Sequence, residues 1–213
     1  MAEFGEDDVD IESRETVFSG YFQVDQYRLR HRLFAGGWSG VAGREVFERG
    51  HAVAVILYDP DRDLLVLIEQ FRIGAFAALR SQPHLARTSP WLLEVVAGII
   101  DEGESPETVA RREAMEEAGC EIVELEPVSR FLLSPGVMTE SLELFCGRVD
   151  AGVVGGIHGL EHEHEDIRVL AVPVHEAFRW LDEGRFINAT ALVAMLWFRL
   201  HRDDLRRRWR RSP

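Results

Sequence analysis

A cluster of acidic residues in one short segment most constrains what this chain can fold into. Residues 98–120 read GIIDEGESPETVARREAMEEAGC and carry Glu113, Glu116 and Glu117 on one predicted helix. Like charges three or four residues apart on a helix repel, at a cost of roughly a few tenths of a kcal/mol per pair. Selection for folding alone would rarely gather acids in this way. The segment therefore indicates that a cation completes the site.

The same segment contains signals for where its helix begins and ends. Ser105 followed by Pro106 predicts an N-cap and a first helical position, and Gly119 predicts the end of the helix. Between these ends alanine recurs at every fourth position, which gives one smooth face that can lie close against a sheet. The alanines are Ala110, Ala114 and Ala118.

The remaining surface of this helix presents charged residues one turn apart. Glu113 and Glu117 are spaced so that both carboxylates can reach a single ion. Arg112 and Glu116 have the same spacing and can form an ion pair. Mg2+ prefers oxygen ligands and is usually shared between a few carboxylates and substrate phosphates. The alternative to a metal site is a solvated acidic helix face, and these two residue pairs alone do not exclude it.

The complete spacing is more specific than the pairs, and it resembles the Nudix box. It fixes seven positions together: Gly98, Glu104, Arg112, Glu113, Glu116, Glu117 and Gly119. A solvated face does not account for this combination. Two apolar positions of the box are the small residues Ala114 and Cys120 in this chain, which affects packing more than metal binding.

The resemblance extends over nearly the full chain, to the bacterial ADP-ribose pyrophosphatases of the Nudix hydrolase superfamily. It is carried by YRLRHRLF, REVFERGHAVAV, LIEQFR, PWLLEVVAG, SPG, GIHGLEHEHEDIRV and INATALVA. Pro135, which follows the box, resembles a mark of members specific for ADP-ribose. The resemblance implies Mg2+-dependent hydrolysis of ADP-ribose to AMP and ribose 5-phosphate.

The resemblance also implies roles for individual residues. The implied metal ligands are the carbonyl of Ala97 and the carboxylates of Glu113, Glu117 and Glu165. They would hold Mg2+ or Mn2+, with more than one ion per site. The implied catalytic residues are Glu163, as the base that activates water, and Glu116 with Arg112. Four acids crowd residues 161–166, so which of Glu163 and Glu165 is base and which is ligand stays open.

Substrate contacts are implied by residues in the other matching stretches. These are Tyr21, Phe22, Arg44, Glu45, Arg49, Arg72, Ile99, Ser134, Pro135, Gly136 and Glu140. Arginine can grip phosphate with two hydrogen bonds, and an aromatic ring can stack on adenine. Surface ion pairs and core packing are the alternatives for these side chains. In the related enzymes the N-terminal strands cross to a second subunit, so a homodimer is implied.

Charge and cysteine content restrict the partners and the compartment. The formal net charge of −13 argues against a nucleic-acid binder, which needs a basic face. Two cysteines indicate no disulfide framework, and together with an acidic N-terminus they favour the cytoplasm. The sequence shows no apolar run long enough to cross a membrane.

The fold class predicted from the pattern and the resemblance is α+β. We expect a Nudix-type α/β/α sandwich with a mixed β-sheet over 51–213, preceded by an antiparallel β-strand region over 1–50 that serves dimerisation and substrate contacts. Residues 1–14 are expected to fray, and 74–90 to form an irregular loop of open function. Closing helices are predicted at 174–183 and 189–205.

Three alternatives compete with the leading hypothesis. A Nudix hydrolase could act on another nucleoside diphosphate derivative, such as a nucleotide sugar or a dinucleotide, because the box serves all of these. A non-catalytic sensor that binds ADP-ribose is a second alternative, which the intact box glutamates disfavour. A zinc site at His158, His162 and His164 is a third, which the absence of a cysteine partner disfavours.

Overall fold

The chain forms two compact units. The computed structural model describes residues 4–82, 89–152 and 154–210, with the side chain of Glu163 outside the description. The first unit comprises the chain up to His51 together with Leu132–Ser141, and the second comprises Ala52–Phe131 together with the chain from Leu142.

The first unit is built on a three-stranded antiparallel sheet. Its strands are β1 (Val9–Ser19), β2 (Gln23–His31) and β3 (Ala42–Glu48), in the order β1-β2-β3. The expectation that residues 1–14 fray is wrong from Val9 onward. Val9 pairs with His31, and Arg30 donates a hydrogen bond of 2.8 Å to Asp10. Pairing along the whole of β2 orders a segment whose composition alone suggests disorder.

The second unit contains most of a mixed eight-stranded sheet. The strands are β4 (His51–Asp59), β5 (Leu64–Phe71), β6 (Trp91–Glu94), β7 (Val96–Ile99), β8 (Glu124–Leu132), β9 (Ser141–Arg148), β10 (Gly156–His158) and β11 (Ile167–Pro173). The order is β10-β11-β5-β4-β9-β8, with β6 paired to β5 and β7 paired to β4. The short strand β10 has no counterpart among the predicted elements.

Four helices accompany the sheet: α1 (Ile73–Ser81), α2 (Pro106–Ala118), α3 (Val174–Asp182) and α4 (Ala189–Trp209). Strand β4 is buried from Ala52 to Asp59, with no polar alternation. Val53 and Val55 belong to the cluster that includes α2, whereas the ring of Tyr58 lies 4.9 Å from that of Phe198 on α4. Helices therefore cover both faces of β4, and the predicted α+β sandwich is confirmed.

The predicted loop over 74–90 is wrong in its first half, because α1 occupies residues 73–81. Helix α1 contains several good helix formers, namely Ala75, Ala77, Ala78, Leu79 and Arg80. The Phe76 N–H donates to the Arg72 carbonyl at 3.0 Å. No residue of α1 is buried, so the helix carries no apolar period to read in the sequence. Residues 83–88, in the second half of the predicted loop, lie outside the described residues.

Two further observations concern the cysteines and the helices. Cys120 and Cys146 are both buried and unpaired. Across the described residues, none of the helices combines the length and the apolar character that a bilayer crossing requires.

Asp59 organises the turn after β4 from a buried position. Its carboxylate accepts hydrogen bonds from the backbone N–H groups of Asp61, Arg62 and Ala151 at 2.9–3.0 Å, and from the Arg62 guanidinium at 2.8 Å. Every one of these partners is a hydrogen-bond donor. The NH2 group of an asparagine at this position would therefore face other donors and find no acceptor among them.

We expect Asp59→Asn to lower the free energy of unfolding by about 2–3 kcal/mol, since it leaves buried donors unsatisfied. The matched control is Asp150→Asn, because Asp150 accepts from the same Arg62 at 2.7 Å but is 70% exposed. The control should change stability by less than about 1 kcal/mol. Urea unfolding checks both variants, and equal effects would contradict the assignment.

Candidate active site

Helix α2 has the ends that the sequence predicts. The Ser105 hydroxyl accepts a hydrogen bond from the Thr108 N–H at 3.2 Å, and Pro106 is the first helical residue. At the other end Gly119 adopts a left-handed conformation with φ of 62°, which suits glycine. The predicted small-residue face is buried, since Ala110, Ala114 and Ala118 all belong to the core.

Gly98 on β7 gives Glu113 the room to lie against the sheet. A Cβ atom at Gly98 would stand only 2.0 Å from Glu113 Oε1 and 2.3 Å from its Cγ. The glycine that opens the box is therefore required by the close approach of a carboxylate to the strand. This contact explains a spacing that the sequence presents only as a pattern.

Glu117 is the most deeply buried acid of the helix, with 4% of its surface exposed. Its Oε2 accepts a hydrogen bond of 3.0 Å from the backbone N–H of Ala97. The pKa of Glu117 is raised to about 8, mainly by burial; the Ala97 hydrogen bond opposes this shift and the charge of Glu113 adds to it. Burial is also the main cause that raises the pKa of Glu113 to about 7, against the opposing charge of Arg112.

These two carboxyl groups fit a divalent cation. They supply hard oxygen donors from one helix face, and the protein by itself does not fully stabilise their charged forms. Among the residues described, no three or more histidine, cysteine, aspartate or glutamate groups form a metal cluster, and this includes His158, His162 and His164. The fit therefore depends on the glutamate pair of α2.

Arg112 forms ion pairs with the other acids of the box. Its Nη1 lies 2.8 Å from Glu113 Oε1 and 2.9 Å from Glu116 Oε2, which confirms the predicted pairing with Glu116. Its Nη2 is 3.5 Å from Glu104, which also accepts a hydrogen bond from the Asp101 N–H. The arginine thus ties the loop before α2 to the helix and restrains Glu113 and Glu116.

The acidic loop between β10 and β11 is attached to α2. The Gly159 N–H donates to the Glu116 carbonyl at 3.3 Å, and the Leu160 N–H donates to Glu165 Oε2 at 3.1 Å. The charge of Glu165 contributes to the raised pKa of both Glu113 and Glu117, after the larger effect of burial. Glu165 therefore lies within electrostatic reach of the helix pair.

The backbone of this loop depends on Gly159, which has φ of 99°. A Cβ atom there would stand 2.7 Å from Glu165 Cβ. Residues Glu161–Glu163 form one 3-10 turn, and the predicted base Glu163 has its side chain outside the description.

Arg72 is held by an acid that the sequence interpretation overlooked. Its guanidinium donates to buried Glu94 at 2.7 Å from Nη2 and at 3.1 Å from Nε. Asn188 also donates to Glu94, at 2.8 Å. The sequence did contain a signal for this role of Glu94. Glu94 is the one charged residue in the apolar stretch WLLEVV, at a position where the strand faces the core.

The substrate candidates in the first unit include a group of aromatic and basic side chains. Tyr21 is 87% exposed, and its ring contacts that of Phe22 at 4.7 Å. The Arg49 guanidinium lies 5.4 Å from the Phe22 ring, and its Nη1 is buried without a hydrogen-bond partner in the described part of the chain. Arg44 and Glu45 are exposed neighbours on β3.

The remaining candidates lie at turns and strand ends. The Ser134 carbonyl accepts from the N–H groups of Val137 and Met138, which closes a turn around Pro135 and Gly136. Glu140 is 8% exposed at the end of this segment. In the second unit, Ile99 ends β7 and is 38% exposed.

Residues 48–193 match the NUDIX domain family model. This match covers more than half of the chain, and the chain belongs to the NUDIX family.

Relatives with named activities also match most of this chain. The chain is 48% identical over 206 residues to a protein of Escherichia coli (strain K12) named ADP-ribose pyrophosphatase, covering 97% of this chain and 95% of that protein. A Haemophilus influenzae protein of the same name is 42% identical over 209 residues, covering 98% and 94%. A GDP-mannose pyrophosphatase of Yersinia pestis is 31% identical over 189 residues, covering 88% and 89%. The resemblance inferred from the sequence is confirmed.

A solved structure supports the fold. A protein described as an ADP compounds hydrolase superposes with a TM-score of 0.68 at 21% identity, covering 98% of this chain and 100% of its own. At this identity the likeness concerns the fold.

We expect Gly98→Ala to weaken the binding of Mn2+ by about 10- to 100-fold, because the new methyl group displaces the Glu113 carboxylate. Titration of the purified protein with Mn2+, followed by electron paramagnetic resonance, measures the affinity. The matched control is Gly74→Ala, since a Cβ at Gly74 would meet no atom within 4 Å among the described residues beyond its chain neighbours and its own helix backbone. Unchanged Mn2+ affinity in a folded Gly98→Ala protein would contradict the role given to this glycine.

Proposed function

We propose that this chain hydrolyses the pyrophosphate bond of ADP-ribose to give AMP and ribose 5-phosphate, with Mg2+ or Mn2+ as cofactor. The observation that carries the proposal is the carboxyl pair Glu113 and Glu117, whose pKa values burial raises in spite of the Arg112 ion pair and the Ala97 hydrogen bond. The choice of ADP-ribose draws on the relatives named ADP-ribose pyrophosphatase, which match over nearly the whole chain.

In this proposal the ions are held by one backbone and three side-chain donors, with more than one ion per site. These are the Ala97 carbonyl, Glu113, Glu117 and Glu165. When bound, the cations neutralise charge on the pyrophosphate and lower the pKa of bound water. The close packing of Glu113 over Gly98 and the Ala97–Glu117 hydrogen bond would hold the two carboxylates in place before metal and substrate arrive.

Proton transfer is assigned to the acidic loop. Glu163 would accept the proton of the attacking water, because hydrolysis requires a base within hydrogen-bond reach of the nucleophile. Arg112 would keep Glu113 and Glu116 oriented through its ion pairs at 2.8 and 2.9 Å. Glu116 would support the site from the same helix.

Substrate recognition is assigned to residues outside the box. Arg44, Arg49 and Arg72 would hold the phosphates, and the exposed ring of Tyr21 with Phe22 would stack on adenine. The rest of the binding pocket would be lined by Glu45, Ile99, Ser134, Pro135, Gly136 and Glu140. The buried, unpartnered Nη1 of Arg49 supports its assignment, since such a group gains most from an anionic ligand.

We further propose a cytoplasmic homodimer in which the region 1–50 contributes both to dimerisation and to the partner's substrate site. The first unit supports the proposed dimer because it exposes apolar side chains, which mark interaction surfaces when they are contiguous. These side chains include Val17, Phe18 and Phe34. A nucleotide sugar is the second candidate substrate, because a relative named GDP-mannose pyrophosphatase covers 88% of the chain.

A substrate panel tests the proposed reaction. Purified protein is incubated with ADP-ribose, GDP-mannose or NADH, with Mg2+ or with EDTA, and nucleoside monophosphate release is followed by chromatography. We expect AMP from ADP-ribose with Mg2+ and none with EDTA. Faster turnover of GDP-mannose would contradict the substrate, and binding of ADP-ribose without turnover would favour a sensor.

We expect Glu113→Gln and Glu117→Gln each to lower kcat by roughly 100-fold or more, because each removes a charged ligand from the proposed metal site. Glu107→Gln is the matched control, since Glu107 is an exposed acid in the first turn of the same helix. Circular dichroism checks that the fold is retained. Near-normal kcat in either variant would remove that residue from the ligand set.

Substitution of the loop acids distinguishes their roles. Glu163→Gln should lower kcat while leaving the affinity for Mn2+ unchanged, because a base acts on water and not on the ion. Glu165→Gln should weaken Mn2+ binding, since Glu165 lies within electrostatic reach of the helix pair. The reverse outcome would exchange the two roles.

A further inference from the structure

A partly buried ion pair joins Arg72, the residue after β5, to buried Glu94 at the end of β6. The Glu94 side chain is 3% exposed, and it accepts from Arg72 Nη2 at 2.7 Å and from Nε at 3.1 and 3.3 Å. A guanidinium that binds one carboxylate through two nitrogens has a fixed plane, because both contacts must be satisfied together. The pair therefore sets the orientation of Arg72 and not only its charge.

Asn188 holds the other side of Glu94 and is itself fixed. Its Nδ2 donates to Glu94 Oε1 at 2.8 Å, and its Oδ1 accepts from the Ala191 N–H at 3.2 Å as the N-cap of α4. Both ends of the amide are therefore in use. Gln70 adds a longer contact of 3.5 Å to the second oxygen of Glu94.

Stability alone does not account for this arrangement. A carboxylate buried to this extent loses most of its hydration, and apolar residues of similar size are often as stable as a buried ion pair. Its neighbours on β6, Leu92 and Leu93, show that the strand accepts such residues. A positional role for the charge explains why it lies here.

The anchor of Arg72 lies close in the chain to the proposed metal ligands, because Glu94 stands three residues before Ala97, whose N–H donates to Glu117 at 3.0 Å. The guanidinium charge of Arg72 lowers the pKa of Glu117, although burial is the main influence on that group and acts in the opposite direction. The Arg72 side chain is 43% exposed, whereas Glu94 is buried beneath it. Arg72 thus combines a buried anchor with a side chain that is partly open to solvent, and its charge acts on the proposed metal ligand Glu117.

We propose that Glu94 and Asn188 are positioning residues that lock the Arg72 guanidinium beside the carboxylate site, oriented to receive a phosphate of the substrate. The inference rests on the proposed function, which assigns Arg72 to a phosphate of the substrate. An arginine fixed in advance loses less rotamer freedom when the phosphate binds, so the lock acts on substrate affinity. Asn188 links this lock to the beginning of α4.

Kinetics in two backgrounds tests whether Glu94 acts through Arg72. Glu94→Gln keeps the size of the side chain but removes its charge, and should raise KM for ADP-ribose about tenfold with kcat changed less than about threefold. In the Arg72→Ala background the same substitution should leave KM unchanged, because the residue it orients is gone. An equal rise of KM in both backgrounds would show a general structural effect and overturn the proposal.

Asn188→Ser is a second variant that should fold if Glu94→Gln does not. Serine keeps an N-cap for α4 but lacks the amide that reaches Glu94. It should raise KM in the same direction as Glu94→Gln, with the melting temperature nearly unchanged. The control is Glu69→Gln on neighbouring β5, which removes a carboxylate from an exposed ion pair with Arg168 and should not change KM.

A measurement without turnover separates this proposal from the proposed function. In 15N-labelled protein, the Arg72 Nε–H signal, assigned by its loss in Arg72→Lys, should be sharp and slow to exchange with solvent. Glu94→Gln and Asn188→Ser should each broaden it or speed its exchange. An unchanged signal in both variants would overturn the lock, whereas a wild-type protein that leaves ADP-ribose intact would overturn only the assigned substrate.

Discussion

The site depends on two carboxylates that one helix holds largely out of water against one strand. Glu113 can approach β7 because Gly98 has no side chain, and Glu117 accepts a hydrogen bond from the backbone of Ala97. Burial works against the charged form of both groups, which raises the pKa of each. The fold therefore disfavours the charged form of both acids, and in the proposed metal site a divalent cation would stabilise that form. Selection for stability alone would not keep such an arrangement, whereas the proposed metal binding would explain it.

Two arginines, Arg112 and Arg72, offset the negative charge of these acids only in part. Arg112 binds Glu113 and Glu116, and the charge of Arg72, which is held by Glu94, lowers the pKa of Glu117 against the larger effect of burial. Each arginine has an acidic anchor of its own, so neither is free to neutralise the pair completely. In the proposed function this division would leave room for both an ion and an anionic substrate. A pyrophosphate that carries its own negative charge needs both kinds of contact, to the metal and to arginine.

The local part of the site could be predicted from the sequence because its determinants lie close together in the chain. Ser105 and Gly119 fix the ends of α2, and the four-residue spacing of Glu113 and Glu117 places both acids on one side. The helix α1 could not be predicted in this way. It buries no residue, and an apolar period arises only where a helix packs against a core.

The sequence by itself determined the family, the helix with its caps, and the acids that point to a metal, since each is encoded by spacing over a few turns. Only the tertiary structure decided what supports those residues. Asn188 and Glu94 are 94 positions apart and meet because α4 begins beside β6. Gly159 adopts a backbone conformation that brings Glu165 back towards its own loop. Contacts of this kind join elements that are distant in the chain, so no local period records them, and they become visible only when the sheet and helices are packed together.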